Sequence, residues 1–362
     1  MPPGDPDHPL PAGLRLGPVY LRVRQLAWVM PFYRDLLGLV PTAFPAAGGI
    51  AAGRIDGGAD DPTGATTPPA AGDAGTPEPD DPAAPPAAPG TGRRIVALGA
   101  ASGRPPLLVL EEVPAAPIRP PRTTGLYHIA LLYPSRAALG RAFLRLVEGG
   151  WRFQGFADHG VSEALYLADP EGNGLELYAD RPRDQWPRGH DGSVAMYTAP
   201  LDLESLVAAA RDDLRSPAAP EPPQPADPGS PDHPSAGAPA EPDGLGPVVG
   251  HVHLQVSRLE TAEAFYCGVL GFEVTQRDFP GALFVAAGGY HHHLGLNVWA
   301  GEGAPPPPPG AAGLAGFTVV LPTAADLAAV RERVQRARLP LQATERGWTV
   351  IDPDRIPVHL TT

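Results

Sequence analysis

The chain has 362 residues, 43% of them hydrophobic, and a formal charge of −13. That length allows two or three compact units with a sizeable core, while the negative balance argues against nucleic acid or an anionic membrane surface as a partner. A single cysteine, Cys267, excludes an intramolecular disulfide framework and a cysteine-based zinc site and fits a reducing compartment; with no leader-like amino terminus and no apolar run of spanning length, the expected location is the cytoplasm.

In chain order, residues 18–23 (PVYLRV) read as a strand running into a helix that ends Phe32-Tyr33-Arg34-Asp35-Leu36-Leu37-Gly38-Leu39, with Pro31 expected to kink it. This first unit, 15–113, contains a stretch rich in Ala, Gly, Pro, Asp and Thr at 43–91, which can bury little apolar surface and is expected to be a disordered insertion. A second unit, 122–182, opens with a strand at 128–133, continues through Pro134-Ser135 into a helix to Val147, and closes in a hairpin whose turn begins Asp169-Pro170-Glu171-Gly172-Asn173-Gly174. The connecting segment 183–245 holds a second stretch expected to be disordered, 216–244.

The third unit, 247–300, starts with a strand at 251–256 and repeats the first unit's helix ending as Phe265-Tyr266-Cys267-Gly268-Val269-Leu270-Gly271-Phe272. Ser257 and Glu260 fit a capping box, and Leu259, Ala262, Tyr266, Val269 and Leu270 share one helical face that Gly271 is placed to end. After a polyproline run at 305–309, the fourth unit, 311–362, has a strand at 317–321, a helix from Thr323 to about Ala337, and a hairpin turn at Asp352-Pro353-Asp354-Arg355. The economical reading is an α+β chain of four βαβββ modules.

This grammar, with Phe-Tyr before Leu-Gly-Phe and a closing DPEGNGLELY at 169–178, resembles the vicinal oxygen chelate superfamily of glyoxalases, bleomycin-resistance proteins and type I extradiol dioxygenases. Residues 158–167 (DHGVSEALYL) and 288–299 (GGYHHHLGLNVW) look like its bacterial catechol-2,3-dioxygenase subgroup. The resemblance implies modules paired into cup-shaped mixed sheets around a divalent metal, with ligands on the first and last strands of the modules. It also implies ring cleavage of catechol or a substituted catechol, with Fe(II) as cofactor (Mn, Zn, Ni or Co as alternatives), a small aromatic diol and O2 as partners, and room for a homo-oligomer.

The residues themselves support a metal. A lone strand histidine is more often a core residue satisfied by the backbone, but His128 and His251 occupy the same place in their modules, each among apolar neighbours, and a neutral imidazole there can bind an ion through one nitrogen. Glu176 lies between Leu175 and Leu177, where burying an unpaired carboxylate would cost several kcal/mol; coordination removes that cost, and a salt bridge to Arg181 or Arg183 is the alternative. Two histidines and a carboxylate on one face form the facial triad suited to Fe(II).

The triad departs from the superfamily's extradiol order, in which the module with one histidine ligand precedes the module with histidine and glutamate. To close here, the second and third modules must face each other. If instead the first pairs with the second and the third with the fourth, Pro18 and Gly316 take the ligand places, and His251, His359 and one of His291 to His293 would form a site without a carboxylate. The completeness of the triad favours the former.

For chemistry on the substrate, the resemblance implies His159 as a hydrogen-bond donor, Tyr166 as the orienting tyrosine, and an acid/base histidine on the last strand of the third module, for which His293 is the candidate beside His159. Strand alternation sets His291 and His293 on one side and His292 on the other, so register decides which faces inward. The plainer readings are a core aromatic for Tyr166 and a solvated loop pair for His159 with Asp158. His253, His190, His8 and His233 are treated as background, and Cys267 as packed rather than nucleophilic. Phosphate-binding glycine loops, dinucleotide fingerprints and serine-nucleophile elbows are absent from the sequence. The rival functions are a glyoxalase-type isomerase or lyase and a non-enzymatic binder of an aromatic or antibiotic ligand.

Overall fold

The computed structural model describes residues 9–43, 94–190, 192, 194–215 and 246–362. Apart from Ala43, both Gly/Pro-rich stretches lie outside the described residues, as do His8 and His233. Four successive βαβββ blocks follow one another. The first is β1 (Arg15–Val23), α1 (Leu26–Pro31), β2 (Val40–Pro41), β3 (Arg94–Gly99) and β4 (Leu108–Glu112); the second is β5 (Gly125–Leu132), α2 (Arg136–Glu148), β6 (Phe153–Asp158), β7 (Ser162–Ala168) and β8 (Gly174–Asp180). A linking helix, α3 (Leu203–Arg215), packs on α2. The third block is β9 (Val248–Gln255), α4 (Leu259–Phe265), β10 (Glu273–Gln276), β11 (Ala282–Ala286) and β12 (Leu294–Asn297), and the fourth is β13 (Gly313–Val320), α5 (Ala324–Arg336), β14 (Leu341–Thr344), β15 (Gly347–Ile351) and β16 (Pro357–Thr361).

The blocks form two eight-stranded mixed sheets, ordered β2-β3-β4-β1-β13-β16-β15-β14 and β6-β7-β8-β5-β9-β12-β11-β10. Thus the first block shares a sheet with the fourth, and the second with the third, each through an antiparallel seam of first strands. Helices and turns also connect the two sheets, alongside contacts of β1 with β9 and β13 with β5. Arg145 on α2 donates to the carbonyls of Leu36 and Leu37 at the end of the first block's helix, at 3.3 and 3.5 Å, and Arg333 on α5 donates to those of Val269 and Leu270, at 3.2 and 2.6 Å. The Tyr33 hydroxyl donates to Asp169, and the Tyr266 hydroxyl to Asp352, both at 2.9 Å. One contiguous apolar core takes in side chains from all four blocks. Among the described residues, no helix is long and apolar enough to cross a membrane.

The Asp-Pro turns fold as their sequence suggests. Asp169 accepts from the backbone N–H groups of Glu171 and Asn173, and Asp352 from those of Asp354 and Ile356. Their matching fourth residues, Gly172 and Arg355, both take positive φ, 85° and 68°. One local expectation is corrected. Leu259 opens α4 without a side-chain cap, so the Ser257–Glu260 box does not form; the Ser257 N–H is taken by the Asp354 carboxylate at 3.1 Å. At Pro31 the helix widens into a π turn over Phe32–Leu36, but α4 widens the same way over Tyr266–Leu270 without a proline. Each widened turn carries a tyrosine, Tyr33 or Tyr266, that donates to an aspartate of another block.

Candidate active site

In the second sheet β8 runs parallel to β5, with Ala130 opposite Glu176, and β9 runs antiparallel to β5, with Ala130 opposite His251. Neighbouring strands about 4.8 Å apart therefore bring three polar side chains onto one face. His128 Nε2 lies 3.0 Å and His251 Nε2 3.2 Å from the same oxygen of Glu176, and the two nitrogens are 3.3 Å apart. All three residues are buried. Among the described residues they are the group of three whose donor atoms converge within reach of one ion. Separations near 3 Å match the edges of a donor triangle capped by an ion roughly 2.1 Å from each, and two neutral imidazoles with one carboxylate suit a divalent transition metal.

Burial alone would raise the Glu176 carboxyl, but the His251 and His128 imidazoles outweigh it and hold the group well below the usual carboxylate range. Burial takes His251 down to about 4 against the opposing pull of Glu176, so its imidazole is neutral, the form that can ligate. The arginines that might have paired Glu176 are otherwise engaged: Arg181 holds Asp158 at 2.8 Å and Glu163 at 3.0 Å, and Arg183 lies over the Trp186 ring. His359 sits in the first sheet, its Nδ1 2.8 Å from the Thr349 hydroxyl and its ring edge-on to Tyr20. The carboxylate-free alternative is therefore not assembled.

A cavity of about 370 Å³ opens over the three side chains. His159 and Tyr166 line it together. Nδ1 of His159 donates to the Tyr197 carbonyl at 2.9 Å, leaving Nε2 to accept from the Tyr166 hydroxyl at 2.7 Å. Burial and the nearby Glu176 push the Tyr166 phenol well up, which keeps its proton in place.

His293 does not line the cavity. It is fully enclosed, its Nδ1 accepts the Ala287 N–H at 3.2 Å, its ring packs against Tyr290, and burial holds it down to about 3. His292 faces inward instead, with its ring 4.1 Å from that of His251. Sequence reasoning also passed over His253, which lines the cavity with its ring perpendicular to His128 at 4.9 Å. The signal was present: residues two apart on a strand share a face, so His253 accompanies His251. The chain also clears space for it, since a β-carbon at Gly295 would stand 2.7 Å from the His253 ring carbons. The aromatic wall of Tyr127, Phe279, Phe284 and Trp299 comes from separate elements and had no shared sequence signal. Cys267 is packed against the core, and burial pushes its thiol up to about 12.

Residues 15–177 and 248–354 match the model of the Glyoxalase/Bleomycin resistance protein/Dioxygenase superfamily. The chain is 45% identical over 256 residues to a catechol-2,3-dioxygenase of Bacillus subtilis (strain 168), an alignment spanning 70% of this chain and 80% of that one. It is 39% identical over 64 residues to biphenyl-2,3-diol 1,2-dioxygenase 3 of Rhodococcus globerulus, spanning 18% of this chain and 34% of that one. A crystal structure from Bacillus subtilis subsp. subtilis str. 168 shares the fold, with a TM-score of 0.56 at 11% identity over 98% of this chain and 86% of that one. Repeated βαβββ blocks, two mixed sheets and a family match over most of the length lead to one assignment: the chain belongs to the glyoxalase/bleomycin resistance protein/dioxygenase superfamily.

Proposed function

We propose that the chain is an Fe(II)-dependent extradiol dioxygenase that opens the ring of catechol or a substituted catechol, a cytoplasmic enzyme of aromatic breakdown. The observation that carries this reading is the meeting of His128, Glu176 and His251 at the floor of an aromatic-walled cavity, in a chain 45% identical to a catechol-2,3-dioxygenase. The ligand set is one-sided. By register, the place in the third block that corresponds to Glu176 is Gly295, so that block adds no second carboxylate, and an ion held by the three residues would have room for substrate oxygens. That favours ring cleavage over a glyoxalase-type reaction.

Bound Fe(II) supplies Lewis acidity toward the vicinal oxygens and a path for electrons between diol and O2. The protein's part is to hold, orient and deprotonate. Two neutral imidazoles and one carboxylate leave the centre with net positive charge, which favours the ionised diol. The rings of Tyr127, Phe284 and Trp299 offer the flat substrate edge and face contacts. Tyr166, with its hydroxyl held by His159, orients a substrate oxygen. Of the two basic candidates on the wall, His159 already accepts from Tyr166, so His292, in the place expected of His293, is the residue that takes the hydroxyl proton.

The test is oxygen uptake by the iron-loaded protein with catechol and with alkyl- and phenyl-substituted catechols, followed together with absorbance of the ring-opened product. Glu176→Gln is expected to lower iron retention by about 10–100-fold or more and to remove oxygen uptake. An iron-loaded wild-type protein that consumes no oxygen with any of these diols would refute the reading.

A further inference from the structure

Behind the cavity wall a line of polar groups, buried apart from the half-buried Asp180, runs to His292. Asp180, the last residue of β8, accepts on one carboxylate oxygen from His291 Nε2 at 2.9 Å and on the other from the Tyr290 hydroxyl at 2.9 Å. That uses Tyr290's only proton, so across the 2.9 Å between the two hydroxyls Tyr178 is the donor. On the far side of His291, its Nδ1 lies 2.8 Å from Nδ1 of His292.

Two imidazole nitrogens this close require one proton between them. Asp180 as a carboxylate can only accept, which sets the N–H of His291 on Nε2 and leaves its Nδ1 as the acceptor, and the proton between the two rings then sits on Nδ1 of His292. A neutral His292 then has a bare Nε2, and His292 is the member of the line that reaches the cavity. The geometry of His291 is fixed as well. Its ring is fully buried, tilted against Tyr290 at 4.0 Å and edge-on to Trp186 at 5.3 Å.

We propose that Asp180 and His291 are positioning residues that select the tautomer of His292 whose Nε2 accepts a hydrogen bond from a substrate hydroxyl. The identity of that hydroxyl rests on the ring-cleavage reading, whereas the tautomer does not. A merely structural role for the line would be served by either tautomer of His292; a role in accepting the substrate proton is served by one.

Asp180→Asn tests this, because an amide can donate to His291 Nε2 where the carboxylate could only accept, which inverts the line. Long-range 1H–15N spectra of the metal-free protein, with His292 assigned by its loss in His292→Gln, are expected to show Nδ1 protonated and Nε2 bare in the wild type. In Asp180→Asn they should show Nε2 protonated in part or in full. With iron-loaded protein and catechol, kcat should fall by at least about tenfold while KM and iron content stay within about twofold. His291→Phe, which keeps ring volume and breaks the line, should show the same split. A wild-type His292 protonated at Nε2, or an Asp180→Asn protein with unchanged tautomer and kcat, overturns the proposal; if Asp180→Asn fails to fold, the wild-type spectrum and His291→Phe decide. Should the wild type turn over no catechol, the ring-cleavage reading falls, and the His292 spectrum alone supports or overturns tautomer selection.

Discussion

Replacing Gly295 by alanine tests the packing of the cavity wall directly. The added β-carbon would lie 2.7 Å from Cγ and Cδ2 of His253 and 2.9 Å from its Nδ1. Carbon contacts settle at about 3.5–4.0 Å, so the ring must retreat by roughly 1 Å. It has little room to do so: Tyr127, His128 and Trp299 surround it at ring-centre distances of 5.0, 4.9 and 5.4 Å. Overpacking of this kind costs about 1–3 kcal/mol, and a ring pressed toward His128 should weaken metal retention too. Urea denaturation of the metal-free protein reads the first effect, and iron or zinc titration the second. The control is His253→Ala, which empties the space the new methyl needs. In that background Gly295→Ala should be close to neutral, giving a coupling of about 1–3 kcal/mol. The reasoning fails if Gly295→Ala matches the wild type in stability, or if it costs as much without the imidazole as with it.

Two further predictions concern stability away from the cavity. Burial holds the His359 imidazole down to about 4, below its unfolded value of about 6.5. Its contribution is therefore present in full above pH 6.5 and is lost as pH falls toward 4, by up to about 3 kcal/mol; His359→Leu should flatten the pH dependence of the urea midpoint across that window, and an unaltered slope would reject the assignment. At the paired hairpin turns, nothing lies near a β-carbon on Gly172, so Gly172→Ala isolates the backbone term at φ 85° and should destabilise by about 1 kcal/mol. Arg355→Gly, at φ 68° in the matching place, should stabilise by a smaller amount, about 0.5 kcal/mol; thermal melts that show the same sign for both would contradict this.

Much of the architecture could be read from the sequence because the repeats carry it. Tyr33 and Tyr266 sit before the same helix ending, and Asp169 and Asp352 open the same turn, because each tyrosine meets its aspartate in the fold. His128 and His251 could be picked out as histidines at matching strand positions and Glu176 as a carboxylate between leucines, and the pairing of the second and third blocks was expected because each holds part of the proposed ligand set. The phase of the triple histidine was not legible. Strand β12 starts only at Leu294, and Gly288 and Gly289 precede the histidines with φ of 60° and 67°, so alternation counted back from the strand does not reach them intact. The start of α4 was lost for a different reason: Asp354, 97 positions away, captures the Ser257 N–H that a local cap would have shared. No window along the chain contains that partner.

The crosswise arrangement of the sheets has an implication for how the halves depend on each other. The portion before residue 215 brings His128 and Glu176, and the portion after residue 246 brings His251, so the cage proposed for an ion would be divided along the β5–β9 seam rather than owned by either portion. Whatever loosens that seam dilutes one donor relative to the other two, and a captured ion acts in return as a rivet between the halves. On the proposed ligand set, cohesion of the molecule and affinity for an ion would be two readings of a single equilibrium.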